Sequence, residues 1–388
     1  MGMEFDRRSL FRVGATVAGT SALTAAGVGL TSQSAASAGR SPNARPEMVL
    51  GTQRRASTAA MLQEFRRHGV ERVWGYPPRP PLESGRGHWL ASEVAQTKQF
   101  IESEPGLEMH AATLPLLGST LIDREARPAI MLGKSPERDR DIDDIHKCLE
   151  ACAAAGVDLV KYNMSLTGVI STGEVELRGG STTRQFRAAD LDPTLPDTIA
   201  GKVSADEFWE RIDYFLERVV PVAEELRVRI ACHPQDPGTP PGGYRGVEEN
   251  VLSTPGGEGL FRFLALHPSP YHGLNLCVGT LAEMLWDPSA EVYDIVRRLA
   301  RTKRVFNIHL RNIIGNRDDF IEVWPDEGDV DHARIIDVLA EEGYAGIVDP
   351  DHVPDHVDDP GGKQAYAHGY GFLLGLIRAA EHRARGRG

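Results

Sequence analysis

The stretch Val228-Arg229-Ile230-Ala231-Cys232-His233-Pro234-Gln235-Asp236 decides the fold. Its short apolar run reads as a strand that stops at His-Pro, directly after a helical pattern over 205–226. The unit recurs along the chain. Strand-like runs near 48–53, 72–76, 107–112, 157–163, 228–233, 274–278, 304–310 and 346–350 alternate with helical segments near 56–68, 90–104, 137–154, 205–226, 257–267, 289–301, 331–342 and 364–385. The strands run apolar without strict alternation, as expected of a parallel sheet covered on its outer face. Gly69, Gly156 and Gly343 each close a helical pattern and precede a strand, where a left-handed cap favours glycine. Eight strand–helix units predict an α/β chain folded as a single (β/α)8 TIM barrel. A doubly wound sheet is the competing architecture, but no strand is followed by a Gly-rich dinucleotide fingerprint.

The barrel does not need all 388 residues. Asp6-Arg7-Arg8-Ser9-Leu10-Phe11-Arg12 resembles a twin-arginine (Tat) motif, an uncharged stretch Val13 to Leu30 follows, and Ala36-Ser37-Ala38 fits a small-x-small cleavage site. Residues 1–38 are therefore expected to be a Tat-type signal that engages the Tat export machinery. Cleavage near Ala38 would release a periplasmic or extracellular protein. The stretch is too rich in Gly, Ala, Thr and Ser to hold stably in a membrane. Residues 39–46 form a Ser/Arg/Pro-rich linker expected to be disordered, and 47–388 form the barrel. Two inserts, about 164–203 and 235–256, follow strands four and five at the C-terminal face, where such barrels keep their active sites.

Composition narrows the function. The chain is 41% apolar and 25% charged with a formal net charge of −12, a soluble composition that speaks against a nucleic-acid partner. Four cysteines (Cys148, Cys152, Cys232 and Cys277) are too few for a disulfide framework and read as small buried hydrophobes. The acidic run Asp139, Asp141, Asp143 and Asp144, interleaved with Arg138 and Arg140, reads as a solvated helix face. His267, His272, His356 and His368 read as solvated loop or helix residues.

The ends of the last four strands are the informative part. Strand five ends in His233, strand six in Cys277, strand seven in His309, and strand eight in Asp349-Pro350-Asp351-His352. Neighbouring strands lie about 5 Å apart, so these termini can converge on one point. Imidazoles, a thiol and a carboxylate gathered in a barrel mouth make a metal-site proposal. A thiolate with two imidazoles suits zinc, whereas carboxylate and water ligands suit Mn²⁺ or Mg²⁺.

These ends resemble those of mannonate dehydratase, a metal-dependent barrel akin to the xylose-isomerase-like enzymes. The resemblance rests on His233-Pro-x-Asp236-Pro237, Cys277-x-Gly279-Thr280-Leu281, His309-Leu-Arg311-Asn312 and Pro350-Asp351-His352, with Lys161-Tyr162-Asn163 closing strand four. It implies that His233, Cys277, His309 and Asp351 hold a divalent cation, usually Mn²⁺, with Mg²⁺, Fe²⁺ or Zn²⁺ as alternatives. It implies loss of water from D-mannonate to give 2-keto-3-deoxy-D-gluconate. His352 and Tyr366 are then expected in acid/base roles. Arg311, Asn312, Lys161 and Asn163 are expected to bind the substrate, a small sugar acid. The chain departs from the family at Asp349, where Arg is usual, and at Glu322-Val323-Trp324-Pro325, which lacks the His of the corresponding segment. A sugar isomerase or epimerase on the same metal barrel, and a non-catalytic exported sugar-binding protein, are the competing functions. Barrels of this kind often form homo-oligomers, and the sequence shows no interface motif.

Overall fold

The computed structural model describes residues 48–81 and 84–385. The expected signal (1–38) and linker (39–46) lie outside the described residues. Eight parallel strands close into a barrel: β1 (Val49–Thr52), β2 (Arg72–Gly75), β3 (Glu108–Thr113), β4 (Leu159–Asn163), β7 (Arg229–His233), β8 (His272–Cys277), β9 (Val305–His309) and β12 (Ile347–Asp349). Between them stand β5 (Gly173–Glu176) and β6 (Thr182–Arg187), which follow β4, and β10 (Asn312–Asn316) and β11 (Asp319–Val323), which follow β9. These four pair antiparallel in the order β10-β11-β6-β5. The insert read as irregular over 164–203 is thus half of a second sheet, and the other half comes from beyond strand seven of the barrel.

The helices are α1 (Ala59–Arg67), α2 (Ala91–Glu102), α3 (Ala129–Leu132), α4 (Glu137–Ala154), α5 (Ala205–Leu226), α6 (Glu258–Ala265), α7 (Val278–Ala282), α8 (Pro288–Arg301), α9 (His332–Glu341) and α10 (Lys363–Arg385). Their bounds follow local chemistry. Ser204 accepts from the Glu207 N–H and Glu207 reaches back to the Ser204 N–H, a capping box that starts α5. Gly156 at φ +67° turns the chain from α4 toward β4, a conformation that an L side chain resists. Among the described residues no helix is long and apolar enough to cross a membrane.

The main core fills the layer between strands and helices, with Phe65, Ile145, Phe215, Val219, Phe263 and Leu299 all buried. A small cluster of Trp74, Ala111, Leu159, Ala231 and Phe306 fills the interior. All four cysteines are free and buried. Two surface expectations are corrected. Asp141 and Asp144 are buried, because Arg127 bonds both and His88 Nδ1 lies 2.6 Å from Asp144. His272 is fully buried on β8, with Nε2 3.0 Å from the Phe263 carbonyl.

Candidate metal centre and cavity

Strand register explains why the four candidate ligands meet. On β9, His309 is paired with Cys277 of β8 on one side and with Asp349 of β12 on the other. His233 ends β7 opposite Asn163 of β4. Asp351, two residues past β12, turns back at φ +64°, a left-handed conformation that Asp tolerates better than most residues. One donor atom from each of His233, Cys277, His309 and Asp351 lies within 4.8 Å of the others, and all four residues are buried.

The donors fit a divalent cation. His233 Nδ1 lies 2.7 Å from the Pro234 carbonyl; donation there fixes the tautomer and leaves Nε2 with a free lone pair. Burial, with Lys161 and His309 nearby, lowers the His233 pKa to about 3, so the ring stays neutral and able to ligate. His309 Nδ1 lies 3.2 Å from Asp351 Oδ1, close enough for both atoms to face one cation. The Cys277 thiol is pushed up to about 12, chiefly by burial, so a cation is what would ionise it. Burial opposes the Asp351 carboxylate, but His309, His352 and Arg311 hold its pKa well below the usual range.

Beside these ligands opens a cavity of about 420 Å³, lined by Gln53, Lys161, Arg184, Asp236, His352 and Tyr366 among others, a size ordinary for a small-molecule site. Gln53 sits between two walls: its amide donates to Asp351 and its oxygen accepts from Lys161 Nζ at 3.0 Å. Burial lowers the Lys161 pKa, against the raising effect of Asp351 and Asp349. His352 stands at the mouth, 41% exposed, with Nδ1 2.9 Å from Glu322 Oε2 and Nε2 3.5 Å from Asp351 Oδ2. Desolvation works against its charged form, but Glu322 and Asp351 prevail and raise its pKa. Tyr366 Oη donates to the Asp351 carbonyl at 3.2 Å, and burial raises its pKa far above the ordinary value. Asn163 also lines the cavity.

Two residues expected at the substrate are placed elsewhere. Asn312 spends its side chain locally: Nδ2 donates to the Val330 carbonyl at 2.8 Å, and Oδ1 accepts from the Val330 and Ile313 N–H groups. Arg311 is buried beneath the ligands. It bonds Glu283 at 2.6 Å, Thr280 at 3.0 Å, Asp236 at 3.2 Å and Glu322. Its Nε lies 3.4 Å from Asp351 Oδ2, and a terminal nitrogen lies 3.8 Å from Cys277 Sγ. Gly279 makes room for it, since a Cβ there would stand 2.8 Å from Arg311 Nε. The residues that sequence reading passed over are Gln53, Arg184 and Glu322. Arg184 on β6 bonds Asp236 at 2.8 Å and also Glu322 on β11, so the second sheet brings both to the barrel mouth. The insert carries Arg178, Arg184 and Arg187, the sequence feature that could have pointed to it.

A family model described as D-mannonate dehydratase matches residues 197–386. The structure of mannonate dehydratase from Streptococcus suis serotype 2 superposes with a TM-score of 0.73 at 25% identity, covering 87% of this chain and 95% of that one. The chain is thus similar to mannonate dehydratases in sequence over its C-terminal half and in fold over most of its length. The mannonate dehydratase of Streptococcus pneumoniae is 28% identical over 291 residues, 68% of this chain and 74% of its own. A xylose isomerase domain protein from Planctomyces limnophilus, at TM-score 0.55 and 14% identity, shares the barrel fold. These relatives correct one expectation. An exported, periplasmic or extracellular location does not stand, because the matched relatives are mannonate dehydratases.

Proposed function

We propose that this chain is a metal-dependent hydro-lyase that removes water from a sugar acid, with D-mannonate as substrate and 2-keto-3-deoxy-D-gluconate as product. The observation that carries the reading is the buried nest of His233, Cys277, His309 and Asp351, of which His233 and Asp351 line a cavity that also holds His352. A divalent cation in that nest, Mn²⁺ by the family resemblance, would supply positive charge that acidifies the proton beside the substrate carboxylate and steadies the charge that develops on its removal. Arg184 lines the same cavity and offers positive charge to the carboxylate of the sugar acid, and Lys161, whose charged form burial disfavours, accepts the proton removed beside that carboxylate. His352, kept protonated by Glu322 and Asp351, hands its proton to the departing C3 hydroxyl. Tyr366, whose phenol burial keeps protonated and which donates to the Asp351 carbonyl, serves beside it as a hydrogen-bond donor to the acid/base step.

The test is to incubate Mn²⁺-loaded protein with a panel of aldonates and aldoses. A 2-keto-3-deoxy acid from D-mannonate is the expected product. An interconverted aldose without any keto acid would assign the barrel to isomerisation instead.

A further inference from the structure

We infer that Asp349 is a positioning residue that aligns two of the candidate metal ligands at once, the backbone of Asp351 and the ring of His309. The inference rests on the metal-centre reading above and deepens it. Asp349 is a fully buried carboxylate at the end of β12. Its Oδ1 accepts the Asp351 N–H at 2.9 Å. That bond spans the left-handed turn at Asp351 and steadies a conformation that would otherwise be strained. Its Oδ2 accepts from Trp74 Nε1 at 3.3 Å and Asn307 Nδ2 at 3.5 Å, and it faces His309 Nε2 at 3.7 Å.

The ring geometry decides the second role. His309 turns Nδ1 toward Asp351 and Nε2 toward the barrel interior. A neutral imidazole carries one N–H. With a cation on Nδ1, that proton sits on Nε2 and needs an acceptor. The atom 3.2 Å from Nε2 is Asn275 Nδ2, which can donate to the ring but cannot accept from it, and the Asn275 oxygen is held by Asn307 Nδ2 at 2.7 Å. Asp349 Oδ2, 3.7 Å away, is then the carboxylate on that side of the ring to which the proton would turn. A carboxylate behind a ligating histidine fixes its tautomer and its aim.

The test uses the full chain and Co²⁺ as probe. Asp349→Asn keeps an oxygen for the Asp351 N–H but replaces the acceptor facing His309 with an N–H donor. It should bind Co²⁺ roughly 10- to 100-fold more weakly than the wild type while the metal-free protein melts at the same temperature. Equal affinity in a folded Asp349→Asn overturns the inference. A second measurement needs no variant: imidazole ¹⁵N spectra of the Zn²⁺-loaded wild type should place the His309 proton on Nε2, and a proton on Nδ1 overturns the inference. Loss of Co²⁺ binding in His233→Ala checks the centre separately. If that variant binds as the wild type does, or if the wild type takes up no Co²⁺, the metal-centre reading itself fails and the inference falls with it.

Discussion

His352 Nδ1 lies 2.9 Å from Glu322 Oε2, although His352 follows the last barrel strand and Glu322 belongs to the second sheet. The contact couples the insert to the chemistry. Burial raises the Glu322 pKa, but Arg311, His352 and Arg184 outweigh it and hold the carboxyl down at about 2. Glu322 is thus charged throughout the working range and favours protonated His352. Glu322→Gln should lower the His352 pKa, so the loss of activity on the alkaline side moves to lower pH by about one unit or more. A kcat/KM profile against pH reads this directly, and an alkaline limb that stays in place argues against His352 as the acid.

Ligand and acid should separate under mutation. His233→Ala and Asp351→Ala should each lose the bound divalent ion, measured by elemental analysis of the purified protein. His352→Gln should keep the ion and lose turnover by about 10²-fold or more, the usual contribution of a positioned proton donor. An active His352→Gln clears that residue of any role in proton transfer.

Arg311 neutralises buried acids. Its guanidinium holds Glu283, Glu322 and Asp236, all buried, so Arg311→Met leaves Glu283 without its cation and Asp236 and Glu322 with fewer partners, Arg184 for both and His352 for Glu322. Removing one partner of a buried network costs roughly 3–5 kcal/mol, and thermal unfolding should show a large drop in Tm. Arg311→Lys, with one compact charge in place of a fork, should fall between. Gly279→Ala should destabilise in the same direction, because the added Cβ would sit 2.8 Å from Arg311 Nε. A wild-type Tm in Arg311→Met would mean that the acid cluster is neutralised some other way.

The strand ends were legible because they obey local rules. Each of the last four barrel strands is a short apolar run that stops at a polar residue, and parallel register then forces His233, Cys277, His309 and Asp351 together. What sequence could not reveal was long-range. The 164–203 insert lacks a sustained strand pattern; β6 pairs with β5 beside it, and its other edge is taken by β11, more than a hundred residues later, which packs Phe320 against Phe186 at 5.4 Å. Glu322 was therefore visible only as part of Glu322-Val323-Trp324-Pro325, with nothing local to bring it to His352. Arg311 was misplaced for a related reason. A planar fork suits a substrate carboxylate, and nothing local says that Glu283 and Asp236 reach it first.

Buried neutral histidines should set the acid limit of stability. Burial lowers the pKa of His272 to about 4 and of His110 to about 3, against an ordinary 6.5. Below pH 6.5 the unfolded chain binds a proton at each ring that the folded chain refuses. Their contribution is therefore fully present above about 6.5 and is lost as pH falls toward the folded values, at about 1.4 kcal/mol per pH unit for each ring. Denaturant unfolding from pH 7 to 4.5 should show stability falling with this slope. His272→Leu gives up the bond to the Phe263 carbonyl and should be less stable at pH 7, yet its stability should fall less steeply with acid. An acid slope equal to that of the wild type would mean that His272 takes up its proton without unfolding.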